Sequence, residues 1–277
     1  MVYNIEYAYT SNIGKIRKNH EDNFWCDGDF LPAVNSGTEG VTSGIIKAEE
    51  IPAFAVFDGM GGESCGEMAA AAAAEAFDTY YQDNREDFCD DPRTFLMELS
   101  SYMNSRVCSY ASDHNILSMG STSVSVLFGR DWYAASNLGD SRIYVCRKGK
   151  LEQISTDHVF KGGNFRKPPL VQYLGLEESD GVLEPSFVRN SLEDGLRMLL
   201  CSDGVTDMIT DEELCEMLST GDSIAEITGA ILEKALDNGG RDNITLILLQ
   251  AEAAEQNKKE GFFGRMFKKV FGGRGSS

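Results

Sequence analysis

Apolar and polar positions change period along this chain, and the changes divide it into elements. Residues 2–10 alternate as a half-buried strand does, and another strand begins over 22–26. The run over 52–57 is continuously apolar, which marks a strand covered on both faces. A glycine-rich turn follows, then a predicted helix over 63–82 that contains the alanine run Ala69 to Ala74. Alanine is the best helix former and lets a helix approach its neighbour closely. A second long helix is predicted over 92–113, where Phe95, Leu99, Met103 and Val107 recur at helical spacing as a core-packing face. Beyond residue 120 the period drops to two. The segments 121–128, 132–137, 142–147 and 151–154 read as a meander, with Arg147-Lys148-Gly149-Lys150 as a hairpin turn. Further strands are predicted over 182–188 and 196–201, helices over 211–219 and 222–237, and a last strand over 244–250. Asp222 or Ser223 caps the second of those helices. Residues 31–50 are rich in Gly, Ser and Thr and read as an inserted surface loop. Blocks of strands and long helix pairs imply a layered α+β domain, with helices outside two sheets. No repeat or internal linker interrupts it, so one domain is expected over 1–252.

Three times an apolar run, or the turn that opens one, meets an aspartate in a Gly or Asn turn. These are Phe54-Ala55-Val56-Phe57-Asp58-Gly59, Met198-Leu199-Leu200-Cys201-Ser202-Asp203-Gly204 and Arg241-Asp242-Asn243-Ile244-Thr245-Leu246. Each aspartate falls at the mouth of a buried strand. Anions gathered there repel unless a positive charge lies between them, and hard divalent cations take oxygen ligands of this kind. The expected arrangement is a binuclear metal site at one end of a sheet sandwich.

Composition narrows the partners. The 277 residues are 42% hydrophobic, enough for one large core or two small ones, and the formal net charge is -19 from 44 acidic and 25 basic residues. Such a surface argues against nucleic acid, whose phosphates are bound through excess Lys and Arg. A phosphorylated substrate would have to be drawn in by local charge. The 7 cysteines form no C-x-x-C pair, and with only 3 histidines a zinc site is not expected. No signal peptide opens the chain and no window has the length of a membrane span, so a reducing, cytoplasmic location is expected.

Six motifs occur in order: Arg17-Lys18-Asn19-His20-Glu21-Asp22, Asp58-Gly59-Met60-Gly61-Gly62, Gly120-Ser121-Thr122, Asn137-Leu138-Gly139-Asp140-Ser141-Arg142, Ser202-Asp203-Gly204-Val205-Thr206-Asp207 and Gly240-Arg241-Asp242-Asn243. In them the chain resembles the PPM family, the type 2C metal-dependent Ser/Thr protein phosphatases, in its bacterial form. The resemblance covers residues 5–250. It implies a four-layer α-β-β-α sandwich of two mainly antiparallel sheets, with two Mn²⁺ or Mg²⁺ ions at the sheet mouth and a weaker third. Carried over by position, Asp58 bridges the two ions. The Gly59 carbonyl and Glu21 serve one of them with Asp22 nearby, and Asp203 and Asp242 serve the other. Asp140 and Asp207 match the third site, Asn243 orients Asp242, and Arg17 receives the substrate phosphate. The implied reaction is hydrolysis of phosphoserine and phosphothreonine by direct attack of a metal-bridging water, which two cations about 3.5–4 Å apart make acidic enough at neutral pH. The implied partners are phosphorylated proteins, substrates of a Ser/Thr kinase, met by a monomer. The alternative is an inactive relative that binds phosphoproteins as a scaffold.

Bland readings stand beside these. Each aspartate is also a common turn residue, Asp140 and Asp207 also suit turn and helix-start positions, and Arg17 also suits a surface salt bridge. Met60 occupies the place where many eukaryotic relatives carry a histidine as general acid, which leaves a water or His20 to protonate the leaving oxygen. Between Asp157-His158 and Tyr173-Leu174-Gly175 only a short basic flap remains, whose Lys161, Arg166 and Lys167 either touch a phosphopeptide or are solvated. The segment from 253 on changes character. From Gln256 to Ser277 it carries six basic residues and one acidic residue, with Phe262, Phe263, Met266, Phe267, Val270 and Phe271 on one helical face. A basic amphipathic tail on an acidic body is expected to meet anionic lipid at the inner membrane face, or a partner, or else to stay disordered.

Overall fold

The apolar stretches pair into two antiparallel sheets that face each other. The structure, a computed structural model, describes residues 2–60, 65–163, 165 and 167–254. In chain order the elements are β1 (Tyr3–Asn12), β2 (Asp22–Cys26), β3 (Thr42–Lys47), β4 (Ala53–Met60), α1 (Gly66–Asn84), α2 (Pro92–Asp113), β5 (Gly120–Ser121), β6 (Ser123–Phe128) and β7 (Trp132–Leu138). They continue with β8 (Arg142–Arg147), β9 (Lys150–Gln153), β10 (Ser186–Ser191), β11 (Leu196–Cys201), α3 (Asp203–Thr206), α4 (Asp211–Leu218), α5 (Ile224–Asp237) and β12 (Ile244–Ala253). One sheet has the order β3-β1-β12-β11-β8-β9, the other β10-β7-β6-β4-β2, with β5 paired to the end of β4.

The alternation of side chains across each strand sorts the core into three layers. Tyr7, Phe24, Phe54, Val126, Leu200 and Ile247 point between the sheets. The intervening Trp25, Ala55 and Phe57 turn outward against α1 and α2, and the alanines of α1 allow that close seat. Leu199, Leu246 and Leu248 turn outward on the other side, against Leu214 of α4 and Ile227 and Ile231 of α5. The α-β-β-α sandwich expected from the sequence is present. Ser223 caps α5 in a full capping box with Glu226.

Three expectations change. The stretch 31–50 is not all loop, because β3 pairs with β1 from Asn4↔Lys47 to Tyr9↔Thr42 as an edge strand. The four strands after residue 120 are not one meander. β6 and β7 belong to one sheet and β8 and β9 to the other, so the chain crosses between sheets at 139–141. The strand expected over 182–188 lies at Ser186–Ser191, at the open edge beside β7. The Gly61-Gly62 turn, and the basic tail from 255 on, lie outside the described residues. No described helix is long and apolar enough to cross a membrane.

Candidate active site

Antiparallel order brings the acidic turns to one mouth of the sandwich. β4, β7 and β11 end there, while β2 and β12 begin there. Asp22 and Asp58 are directly opposed in the β2–β4 ladder. Asp203 starts α3 just after β11, Asp242 precedes β12, and Asp140 sits in the crossing after β7. Gly139 adopts a positive φ of 94° there, and a side chain on it would press on Thr122. Thr122 accepts a hydrogen bond from the Asp58 backbone N–H at 3.0 Å and shares another with Ser141 at 2.7 Å.

Glu21 is fixed through its backbone. Its N–H donates to Asn243 Oδ1 at 2.7 Å, and its carbonyl accepts from the Gly59 N–H at 3.0 Å. A Cβ on Gly59 would overlap the carbonyls of Gly66 and Glu21, so only glycine lets β4, α1 and the Glu21 loop meet. Asn243 Nδ2 donates to the carbonyls of Ile13 and Asn19, both at 3.0 Å, which closes the loop that carries Arg17. Asp242 accepts from the Asn243 backbone N–H at 2.9 Å. The resemblance assigns Asn243 to orient Asp242. Asn243 does so with its backbone, while its side chain holds the 13–21 loop.

Two carboxylates are drawn onto cations. Arg17 donates to Asp242 Oδ2 at 2.6 Å, and Lys167 contacts Asp203 Oδ2. Asp22 faces inward and accepts from Ser202 Oγ at 2.7 Å. Asp140, Asp203 and Asp207 line an open cleft of about 520 Å³ with Arg142, Asp157 and Lys167. A larger groove of about 840 Å³ between α2 and residues 176–183 shares none of these residues.

Burial and crowding raise the acids. Asp58 is pushed well above the ordinary carboxylate value by burial and by Asp203, Asp22 and Asp140, with Lys167 opposing. Asp22 is pushed up to about 7, chiefly by burial, against its hydrogen bonds from Ser202 and Thr245. Asp140 rises to about 6 through burial and Asp203. Glu21 and Asp207 are also raised, burial first. Burial works against the Lys167 ammonium, but Asp203, Asp58 and Asp140 hold its pKa above the usual value.

Among the described residues no three Asp, Glu, His or Cys side chains converge as a ready-made chelate. The donor set nonetheless fits hard divalent ions. It is all oxygen and partly buried, its members repel one another, and cationic side chains have been drawn in.

The family model for protein phosphatase 2C matches residues 43–239. The chain belongs to the protein phosphatase 2C family. Among its relatives, serine/threonine phosphatase stp of Listeria welshimeri is 27% identical over 269 residues, covering 90% of this chain and 97% of that protein. The crystal structure of the Mycobacterium tuberculosis serine/threonine phosphatase PstP/Ppp is 26% identical with a TM-score of 0.71, covering 90% of this chain and 100% of that one. A PstP catalytic domain in complex with two manganese ions is 27% identical with a TM-score of 0.71, over 91% and 100%.

Within this protein phosphatase 2C fold, His20 is not poised as a proton donor. It is 1% exposed, its Nε2 lies 3.1 Å from Ser11 Oγ in the core, and burial lowers its pKa to about 4. Met60 packs beside Gly120. Ser202 and Thr245 support Asp22, a role that the motifs containing them do not assign. Ser202 stands directly before Asp203 at the end of an apolar run, and that placement was the available signal.

Proposed function

We propose that this chain is a metal-dependent phosphatase that removes phosphate from phosphoserine and phosphothreonine on proteins, using two Mn²⁺ or Mg²⁺ ions. The observation that carries the reading is the meeting of Asp22, Asp58, Asp140, Asp203 and Asp242, from five separate segments, at one sheet mouth. Asp58, Glu21, the Gly59 carbonyl, Asp203 and Asp242 would hold the ions. Asp140 and Asp207 would hold a weaker third ion in the cleft. When bound, such ions supply a water acidic enough to act at neutral pH and offset charge on the phosphoryl oxygens.

The chain's own groups position the ester. Arg17, 47% exposed, pairs with Asp242, and its guanidinium fork suits a tetrahedral dianion. Met60 cannot give a proton and His20 is buried and neutral, so neither of them protonates the leaving oxygen. Asp58→Ala or Asp242→Ala should abolish Mn²⁺-dependent turnover of a phosphothreonine peptide while circular dichroism stays native. Wild-type rates in either variant would refute the assignment.

The basic tail supports a second, separate proposal, that it carries the enzyme to anionic lipid. Six basic residues against one acidic, with an aromatic face, is the pattern of an interfacial helix. The full chain should sediment with phosphatidylserine liposomes and a chain ending at 254 should not. Equal sedimentation discards the idea.

A further inference from the structure

The two described arms of the flap, which line the cleft through Val159, Lys167 and Pro168, pair through their backbone. The Phe160 N–H donates to the Pro169 carbonyl and the Val171 N–H to the His158 carbonyl, both at 2.9 Å, and Val159 bridges Leu170. From this stem Lys167 reaches down to Asp203, where its charge meets a carboxylate on the cleft floor. The lysine side chain is 59% exposed and that of Asp203 only 7%, so a half-open lysine reaches a buried anion. Pro168 and Pro169 follow directly and restrict the backbone behind it. Asp140 and Asp207 line the same cleft, so the ammonium enters a region with no lack of anions.

We propose that Lys167 is an internal cation that competes with a divalent metal ion for Asp203 and thereby ties the flap to the metal centre. The inference rests on reading Asp203 as a metal ligand. A divalent ion held by Asp203 would draw on the carboxylate that the ammonium now contacts, and two cations beside one carboxylate repel each other strongly. Metal loading therefore expels Lys167, and the flap loses its anchor on the cleft floor. Lysine suits this exchange because it is a compact charge on a flexible stem, with no planar fork to hold it in place. The coupling is reciprocal: whatever draws Lys167 away, such as an arriving phosphate dianion, raises the affinity of the centre for metal.

Calorimetric titration of Mn²⁺ into chelator-treated wild-type, Lys167→Met and Lys167→Arg proteins tests the competition. Lys167→Met should bind Mn²⁺ about tenfold more tightly than wild type, the scale of one lost charge-assisted contact. Lys167→Arg should bind Mn²⁺ no more tightly than wild type, since it keeps the competing charge and adds a fork that holds the carboxylate. Hydrogen exchange across 158–171 should quicken on Mn²⁺ addition in wild type and be quick in Lys167→Met throughout. Measurable but equal affinities in wild type and Lys167→Met, or equal shifts in the Met and Arg variants, would overturn this proposal alone. Flap exchange indifferent to Mn²⁺ in wild type would overturn the tie between flap and metal. No Mn²⁺ binding by any of the three proteins would overturn the metal reading and this proposal with it.

Discussion

The Asn243 amide serves three backbone groups at once, accepting from Glu21 and donating to the carbonyls of Ile13 and Asn19. With 3% exposure it has no water to substitute for them. Asn243→Ala strands all three, and losses of this kind amount to about 3 kcal/mol of stability. It also frees the loop that bears Arg17 and Glu21, so Mn²⁺ affinity should fall by about 10–100-fold, as for other supports behind a metal ligand. Urea denaturation reads the first effect and calorimetry the second. A variant that loses stability yet binds Mn²⁺ as well as wild type would show that the loop does not position the site.

At the scale of elements, what the sequence made legible was whatever burial enforces. β4, β11 and β12 are apolar because both faces are covered, and their ends are marked by an aspartate beside Gly or Asn, so sheet mouth and acids could be read together. β3 escaped because an edge strand needs only one partner and one covered face. Ile45 is 63% exposed while Ile46 packs against the core between the sheets, a pattern too short and mixed to stand out among Gly, Ser and Thr. The crossing at Gly139 escaped because a period of two identifies strands but not their partners. The Lys167 contact was hidden for a related reason, since nothing local in the flap records which carboxylate lies beneath it. The geometry of β3 makes its own prediction. Ile46→Lys places a charge against the core and should cost about 2 kcal/mol, whereas Ile45→Lys should stay within about 0.5 kcal/mol, both by urea denaturation. Equal losses would mean that the strand does not pair in this register.

For the whole molecule, the dominant fact is negative charge, -19 overall with a concentrated share at one mouth. Asp22 rises to about 7 and Asp140 to about 6 in the fold, from an ordinary value of 3.8. An acid raised by folding holds its proton more tightly in the native chain. Its contribution to stability is complete below its unfolded value and is lost as pH climbs through the folded one. In chelator, therefore, the melting temperature should rise as pH falls from about 8 to about 6. His20 opposes this on further acidification, because burial holds its pKa near about 4 and the unfolded imidazole, ordinarily at 6.5, takes up protons first. Two raised acids outweigh one lowered histidine, so the rise continues below about pH 6 on a shallower slope. Mn²⁺ competes with protons for the same oxygens, so it should stabilise the protein more at pH 7.5 than at about pH 5.5 and flatten the curve. Asp22→Asn should remove part of the slope above pH 6 by discharging one crowded acid while keeping an oxygen for Ser202 to bond. If melting in chelator instead falls steadily from pH 8 to 6, protons give the mouth no relief, and the crowding of its carboxylates is not what a bound cation would offset.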